Sequence, residues 1–245
     1  MKTALITGAS GAIGRETVKT FIKKGFFVTA QYNLDYSSIQ SLKEELEKEG
    51  YAGYLNAVKA DFSKKGEADN LIKAHLGSFN HIDVLVNNAG VDLYKQVQDT
   101  NEEDWDRLFD INVKSCHLLT KEAVKCMIER KSGKILFVSS IWGVAGGSLE
   151  SCYSATKSAL IGYAKALAKE VGPSNVNVNC ICPGVIRSPM NDGYSYEEMQ
   201  DIISRIPLGR IGDPKEIAEI IYFLCSDSAN YITGQAITCD GGFIL

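Results

Sequence analysis

Two hydrophobic patterns alternate along the chain from one end to the other. Short runs rich in β-branched and aromatic residues, typical of strands, precede longer segments in which apolar residues recur every three or four positions, as on one face of a helix. The strand-like runs are 3–7, 26–32, 53–61, 82–90, 133–140, 175–184 and 234–242. The helix-like segments are 13–24, 37–50, 66–78, 102–131, 153–172 and 213–227. Ser37 is the expected cap of the second helix.

This alternation predicts parallel strands that are joined by helical crossovers. We therefore expect a doubly wound α/β fold of the Rossmann type, with seven parallel strands. No linker, repeat or low-complexity tract interrupts the chain, so residues 1–245 are expected to form a single domain. Ligands of such sheets bind beyond the carboxyl ends of the strands. Functional side chains are accordingly expected just after Thr7, Tyr32, Asp61, Val86, Val138 and Ile181.

The turn after the first strand, TGASGAIG at 7–14, has the composition of a phosphate-binding loop. Gly8, Gly11 and Gly14 would let the backbone approach a pyrophosphate at the positive end of the following helix, and Ser10 can donate a hydrogen bond. Glycines at such turns also occur for purely steric reasons. The turn alone therefore leaves both interpretations open.

Polar motifs follow two later strands. NNAG at 87–90 ends the fourth strand, where its amides can bridge strands, bind a ribose or simply form a local turn. Tyr153 and Lys157 in YSATK lie four residues apart and so share one face of a helix. A neighbouring ammonium favours the ionised form of a phenol, which would make the pair a candidate acid and base. A solvated helix face is the alternative.

Composition and charge narrow the classes of function. A formal net charge of −4 and a pI near 5.5 give no general attraction to nucleic acid or to anionic membranes. The seven cysteines show no CxxC spacing and there are only three histidines, so we expect no metal site and reduced thiols in a cytoplasmic protein. No apolar run is long enough for a signal peptide or a membrane span.

Taken together, the motifs resemble those of the short-chain dehydrogenase/reductase family over essentially the whole chain. TGASGAIG, NNAG, the pair IN at 111–112, SSIWG, YSATK, CPGVIRSPM and TGQAITCDGG occur in the family's order, and a serine stands thirteen residues before the tyrosine. Within the family, IPLGRIGDPKEIA at 206–218 is similar to the β-ketoacyl-acyl-carrier-protein reductase branch. The resemblance implies an NAD(P)H-dependent carbonyl reductase, expected to act on 3-oxoacyl-acyl-carrier-protein in fatty acid biosynthesis.

The resemblance implies a catalytic tetrad of Asn112, Ser140, Tyr153 and Lys157. Tyr153 would protonate the carbonyl oxygen while hydride arrives from the nicotinamide. Ser140 would hold that oxygen, Lys157 would bind the ribose and favour the ionised phenol, and Asn112 would anchor a water relay to Lys157. We assign the serine role to Ser140 and expect Ser139 to serve as a control.

The resemblance also implies the cofactor contacts. They are Gly8, Ser10, Gly11, Ile13 and Gly14 at the pyrophosphate, Tyr32 at the end of the second strand, Asp61 and Phe62 at the adenine, Asn88, Gly90, Tyr153 and Lys157 at the ribose, and Pro183, Gly184, Ile186 and Ser188 at the nicotinamide.

Two departures from the family bear on which nicotinamide is used. Ala12 stands where the glycine pattern would place a glycine, and Gly11 stands where many NADPH-dependent relatives carry a cation. Tyr32 occupies the place of the aspartate that repels the 2′-phosphate in many NADH-dependent relatives, and Asp35 is expected in the loop. We therefore favour NADP(H) over NAD(H).

The segment 187–212 between the last two strand blocks is predicted to cover the substrate as a mobile lid, with Met190, Tyr194 and Met199 either lining a pocket or packing a small helix. SSIWG at 139–143, followed by GGSLESCYSATK at 146–157 and PMN at 189–191, gives a narrower resemblance to bacterial reductases that act on a 5-aminopentanone group of elongation factor P. In that case Glu150 would attract the amine.

A catalytically inactive, nucleotide-binding scaffold is the alternative of another class, and it would predict a damaged tetrad. Relatives in the family imply a homotetramer, with a dimer as the alternative.

Overall fold

Seven parallel strands form one sheet, in the order β3-β2-β1-β4-β5-β6-β7. The computed structural model describes residues 1–244. The strands are β1 (Lys2–Ile6), β2 (Phe26–Tyr32), β3 (Leu55–Lys59), β4 (Val84–Asn87), β5 (Gly133–Val138), β6 (Val176–Pro183) and β7 (Ala236–Cys239). This arrangement confirms the predicted α/β fold with seven parallel strands.

The helices cover the sheet from both sides. They are α1 (Ala12–Lys23), α2 (Tyr36–Lys48), α3 (Glu67–Phe79), α4 (Glu102–Phe109), α5 (Ser115–Arg130), α6 (Ile141–Ala145), α7 (Ser151–Val171), α8 (Tyr196–Ser204) and α9 (Pro214–Leu224). The apolar faces of α1, α2 and α9 pack on one side of the sheet, and those of α3, α5 and α7 pack on the other. Burial on both sides explains why the strands contain almost continuous apolar runs.

Alternate residues of each strand serve the two cores. In β1, Ala4 and Ile6 face the layer of α1 and α9, whereas Leu5 faces the layer of α3 and α5. In β5, Val138 faces the layer of α1 and α9, and Phe137 faces the layer of α3 and α5. Because consecutive side chains of a strand point to opposite faces, each strand builds both cores at once.

Several predicted boundaries differ from the observed ones. The helix predicted at 37–50 begins at Tyr36, and its cap is Asp35 rather than Ser37, because the Asp35 carboxylate accepts a hydrogen bond from the Ser38 amide at 3.0 Å. The helical region predicted at 102–131 consists of α4, a wide π-helical turn at Asp110–Lys114, and α5. Helix α6 follows directly on a strand, and the pattern did not indicate it.

The strand order reverses direction at β1 and β4, the central pair of the sheet. From this pair the chain winds outwards to β3 on one side and to β7 on the other. The connections that leave β1 and β4 therefore lead away from each other, and a crevice remains between them at the carboxyl ends of these strands. Such a crevice is the usual ligand site of doubly wound sheets. Among the helices that residues 1–244 form, none combines the length and apolar character needed to cross a membrane.

Candidate active site

A cleft of about 550 Å³ lies along the carboxyl edge of the sheet. Its walls come from the segments that follow β1 to β6, as the strand-end argument predicted. The predicted site residues that line it are Gly8, Ser10, Gly11, Ile13, Gly14, Asp61, Phe62, Asn88, Gly90, Ser140, Tyr153, Lys157, Pro183, Gly184, Ile186 and Ser188. Two predicted residues, Tyr32 and Asn112, do not line the cleft.

Only glycine fits at two positions of the turn that leads from β1 into α1. Gly8 has φ of +66°, and its amide donates to the Gln31 side chain at 2.8 Å. A Cβ on Gly14 would stand 2.1 Å from the Gly8 carbonyl oxygen. Gly11 is different, since its φ is −76° and an added Cβ would meet only that same oxygen at 3.4 Å.

Thr7 and Asn88 hold this turn against the end of β4. The Thr7 hydroxyl accepts hydrogen bonds from the amides of Asn88 and Ala89, both at 2.9 Å. The Asn88 side chain donates to the carbonyl oxygens of Thr7 at 2.9 Å and Gly8 at 3.1 Å. Asn88 therefore fixes the shape of the glycine turn in addition to lining the cleft.

The residues present fit a dinucleotide. The glycine turn leaves an open backbone surface at the N-terminus of α1, where unpaired amides and the helix dipole attract a pyrophosphate. The close approach of the two glycines supports this fit, because a Cβ at Gly14 would stand 2.1 Å from the Gly8 carbonyl oxygen and the turn is therefore kept free of side chains at this point. Gly90 also lines the cleft, and a Cβ there would stand 3.2 Å from the Lys157 ammonium.

The structure does not bring Tyr32 to the cleft. Its ring instead packs against the Tyr36 ring with centroids 5.6 Å apart, and Asn33, Leu34 and Asp35 line the cleft in its place. Asp35 caps helix α2, because its carboxylate oxygens accept from the Ser37 hydroxyl and from the Ser38 hydroxyl and amide. These hydrogen bonds, chiefly those from Ser38, lower the pKa of Asp35 to about 2.

Tyr153 and Lys157 share the face of α7 that points into the cleft. The Lys157 ammonium lies 5.4 Å from the centroid of the Tyr153 ring, and the lysine side chain is almost entirely buried. The ammonium donates to the Val138 carbonyl oxygen at 2.9 Å. A buried cation is thus held beside a phenol whose ring reaches the cleft, as the one-turn spacing predicted.

The two serines at the end of β5 play different parts. Ser140 caps α6, and its hydroxyl oxygen accepts from the Trp142 amide at 3.2 Å. Its hydroxyl proton is thus available for an oxygen in the cleft. The Ser139 hydroxyl instead donates to the Lys157 carbonyl oxygen at 2.8 Å. This geometry supports the choice of Ser140 over Ser139.

Asn112 lies behind the cleft, fully buried in the π-helical turn. Its side chain accepts from the Val91 amide and donates to the Val91 carbonyl oxygen, both at 2.8 Å. It also donates to the Thr156 hydroxyl at 3.1 Å. Asn112 therefore anchors the loop after β4 to α7, and wide helical turns of this kind are frequent at functional sites.

At the far end of the cleft, the wall is aromatic and acidic. Trp142, Tyr194 and Phe243 line it together with Asp92 and Glu150, and the rings of Trp142 and Phe243 form an edge-to-face pair with centroids 6.0 Å apart. Burial, and to a lesser extent the neighbouring Asp92, raise the pKa of Glu150 to about 7. Burial is also the main cause that raises the pKa of Tyr194.

Some residues of the site were not predicted from the sequence. Gln31 stands out in hindsight as a fully buried polar residue in the apolar run FFVTAQY, where its amide bridges Gly8 and the Ala60 carbonyl. Asp92 lies two residues after the NNAG motif, and Trp142 lies within SSIWG, but neither was assigned a role. Phe243 reaches the cleft from the far end of the chain, which no local pattern indicates.

Comparison with known proteins agrees with this geometry. A family model described as enoyl-(acyl carrier protein) reductase matches residues 8–244. The 3-oxoacyl-(acyl-carrier-protein) reductase FabG of Thermotoga maritima is 36% identical over 244 residues, which cover 100% of this chain and 98% of that protein. The 3-oxoacyl-(acyl-carrier-protein) reductase of Synechocystis is 37% identical over 245 residues, which cover 100% of this chain and 97% of that protein.

A relative with a different printed substrate is almost as similar. The hydroxy(phenyl)methylsuccinyl-CoA dehydrogenase subunit BbsD of Thauera aromatica is 34% identical over 242 residues, which cover 98% of this chain and 96% of that protein. The chain belongs to the short-chain dehydrogenase/reductase family and is an NAD(P)-dependent oxidoreductase. Identity at this level is shared by enzymes of different substrates, so the family alone does not choose among them.

Proposed function

We propose that the protein reduces a ketone with NAD(P)H, and that Asn112, Ser140, Tyr153 and Lys157 carry the reaction. One observation carries this proposal: the Ser140 hydroxyl and the Tyr153 phenol line the same cleft as the glycine turn, with the Lys157 ammonium beside the phenol ring. A scaffold without activity would have no need to keep these groups together.

Each member of the tetrad has a distinct role in the proposal. When bound, the reduced nicotinamide supplies the hydride. Tyr153 donates its phenolic proton to the carbonyl oxygen, and Ser140 donates a hydrogen bond to the same oxygen as negative charge develops on it. Lys157 binds the ribose hydroxyls and stabilises the phenolate left on Tyr153. Asn112 holds the loop after β4 and the water relay that returns a proton to Lys157.

The cofactor is held in the proposal by the residues at the glycine turn and the strand ends. We favour NADP(H), because Tyr32 rather than an aspartate ends β2 and packs against Tyr36. The Asp35 carboxylate lies three residues further along the chain, where it caps α2 by accepting from Ser37 and Ser38. Asn33 lines the cleft at this point and can donate its side-chain amide to the phosphate.

For the substrate we propose a 3-oxoacyl thioester on acyl carrier protein, in fatty acid biosynthesis. The two reductases at 36% and 37% identity that carry this name support the assignment. The aromatic wall of Trp142 and Phe243 can pack against an acyl chain.

The second candidate is reduction of a 5-aminopentanone group on elongation factor P. The specific observation in its favour is that Glu150 and Asp92 line the cleft beside Trp142 and Tyr194. Carboxylates and the faces of aromatic rings attract an ammonium group. They make no favourable electrostatic interaction with the anionic phosphate arm of a carrier protein.

The segment 187–212 is proposed to act as the lid over the substrate. Tyr194 and Ile202 of this segment line the cleft, and no residue of α8 is fully buried in the protein, so α8 can move at low cost. Met190 lies in this segment, but its side chain is outside the described part of the structure. We further propose a homotetramer located in the cytoplasm, where the free thiols would stay reduced.

A panel of ketones assayed with NADPH and NADH tests the proposal. The panel contains an acetoacetyl thioester and an amino-ketone, and each is assayed with the wild type, Tyr153→Phe and Tyr163→Phe. Tyr163→Phe is the matched control, since Tyr163 lies on the same helix and contacts His117 instead of the cleft. We expect Tyr153→Phe to lower kcat/KM at least 100-fold and the control to stay within about twofold.

Three outcomes would overturn parts of this proposal. Undiminished reduction by Tyr153→Phe would reject the mechanism. Cofactor binding by the wild type without reduction of any ketone would support the scaffold instead. A tenfold higher kcat/KM with NADH would reject the NADP(H) preference.

A further inference from the structure

Lys157 is held at both of its ends by two consecutive residues of the sheet. Its ammonium donates to the Val138 carbonyl oxygen at 2.9 Å, and its own backbone carbonyl accepts from the Ser139 hydroxyl at 2.8 Å. The partner atoms belong to the last residue of β5 and to the residue that follows it. The position of Lys157 relative to the sheet is therefore fixed at the ammonium by one bond and at the backbone by the other.

The Ser139 bond forms because α6 comes unusually close to α7. A Cβ on Gly143 would stand 2.5 Å from the Ser139 hydroxyl oxygen and 2.8 Å from the Lys157 carbonyl carbon. Gly143 is buried, and its carbonyl oxygen accepts from the Ser158 hydroxyl at 2.7 Å. The absence of a side chain at this position keeps the Ser139 hydroxyl directed at Lys157.

Ser139 adjoins Ser140 in the lining of the cleft, but its own hydroxyl and amide donate to groups within the protein. It is 4% exposed, and its amide donates to the Ile181 carbonyl oxygen at 2.8 Å. With the hydroxyl donating to α7 and the amide donating to β6, Ser139 joins three neighbouring elements at the point where Lys157 enters the cleft. Simple packing would be met by alanine, whereas this bond requires a donor.

We propose that Ser139 is a positioning residue that sets the place of Lys157 along α7 and thereby controls how the ammonium acts on Tyr153 and on the cofactor. The proposal rests on the proposed function of Tyr153 and Lys157. Without the hydroxyl, the Lys157 backbone carbonyl loses its hydrogen bond to Ser139, and the bond from the flexible ammonium to the Val138 carbonyl oxygen remains. The ammonium then occupies a wider range of positions beside the phenol.

Two kinetic properties are expected to change together. A less fixed ammonium stabilises the phenolate less, so the pH at which kcat/KM for ketone reduction falls to half its plateau moves upward. The same ammonium is proposed to bind the ribose, so the KM for the cofactor rises. The groups that transfer the hydride and the proton are unchanged in a Ser139 variant. The plateau value of kcat is therefore expected to fall less in that variant than in one that lacks the Ser140 hydroxyl.

The test compares Ser139→Ala, Ser139→Thr and Ser139→Val with Ser140→Ala. Thr and Val have nearly the same shape, so their difference isolates the hydroxyl. We expect Ser139→Ala and Ser139→Val to shift the alkaline half-point upward by at least about 0.5 pH unit and to raise the cofactor KM about three- to tenfold. Ser139→Thr should return both values towards the wild type. Ser140→Ala should lower kcat at least 100-fold with an unchanged cofactor KM.

A melting curve for each variant separates an effect on the stability of the fold from an effect on the position of Lys157. If Ser139→Ala lowers the Tm but keeps the wild-type pH profile and cofactor KM, Ser139 is merely structural and the proposal is wrong. Gly143→Ala crowds both this hydroxyl and the Lys157 backbone, so its shift is expected to be at least as large as that of Ser139→Ala. Failure of the proposed function itself would appear elsewhere, as full activity in Tyr153→Phe.

Discussion

Gly14 and Gly8 approach each other so closely that a methyl group on Gly14 would stand 2.1 Å from the Gly8 carbonyl oxygen. The first turn of α1 therefore rests directly on the end of β1. The contact also explains why the turn tolerates Ala12, since the constraint falls on other positions. Gly11 lies in the same turn but faces open space apart from one contact at 3.4 Å.

Gly14→Ala is expected to be far more damaging than Gly11→Ala. The first substitution must push the backbone of the turn apart, so we expect a loss of at least about 2 kcal/mol in the free energy of unfolding, together with the loss of detectable NAD(P)H binding. The second keeps an allowed backbone conformation and should stay within about 1 kcal/mol, the usual effect of a cap change. Urea unfolding and cofactor titration measure both. Equal effects of the two variants would contradict this account of the turn.

His75 makes stability depend on pH. It is fully buried, with Nδ1 2.8 Å from the Thr29 hydroxyl and Nε2 3.0 Å from the His81 carbonyl oxygen, which can only accept. Burial lowers the pKa of His75 to about 4. The unfolded chain, with a histidine pKa near 6.5, therefore binds more protons than the folded protein between these two values, and stability falls as the pH is lowered through this window.

The expected loss that His75 contributes between pH 6.5 and pH 4 is on the order of 3 kcal/mol. Carboxylates also titrate in this range, so the measurement is the difference between the wild type and His75→Gln, which keeps a polar side chain without a titration. Urea unfolding at several pH values should show the wild type losing more stability than the variant. Parallel curves for the two proteins would show that His75 does not contribute.

The sheet and the general location of the site were predictable because they depend on long-range regularities. Alternating strand and helix patterns dictate parallel pairing, and parallel pairing places the ends of β1 and β4 side by side. The one-turn spacing of Tyr153 and Lys157 on a helix brought both to the cleft. These arguments use periodicity over many residues, so an error of one residue at a boundary does not affect them.

The details that escaped prediction depend on single residues at boundaries. Tyr32 was expected in the cleft, but β2 ends so that Asn33 takes that place. Ser37 was expected to cap α2, although the carboxylate of Asp35 is the better acceptor for the helix amides. Ser139 was expected to serve as a control, and nothing in the sequence indicated its hydrogen bond to the Lys157 carbonyl oxygen. Such contacts arise from packing that a local pattern does not encode.

Lys131 offers a simple stabilising substitution at the end of α5. It is exposed and has φ of +50°, a left-handed conformation that favours glycine. Lys131→Gly is expected to raise the free energy of unfolding by about 0.5–1 kcal/mol. Lys121→Gly, which makes the same change in the interior of α5, should lower it by about 1 kcal/mol. Thermal melting of both variants checks the opposite signs, and a loss of stability in both would refute the argument.

Glu150 gives the second candidate substrate a pH signature. Because burial raises the pKa of Glu150 to about 7, its carboxyl gains negative charge as the pH rises from 6 to 8. An ammonium on the substrate would gain attraction over the same range, by roughly 1 kcal/mol for a partly exposed pair, or about a fivefold fall in KM. The measurement is the ratio of KM values for an amino-ketone and for the same ketone without the amine. Taking this ratio cancels the pH dependence of the proton transfer itself.

The wild type should therefore show a ratio that falls from pH 6 to pH 8, whereas Glu150→Gln should show a constant one. Glu198→Gln is the matched control, because Glu198 is an acidic residue of the neighbouring α8 that accepts from the Ser195 amide and does not line the cleft. The control should keep the wild-type ratio. If the ratio is constant in the wild type as well, Glu150 does not contact an amine in the cleft, and the 3-oxoacyl thioester is the better substrate proposal.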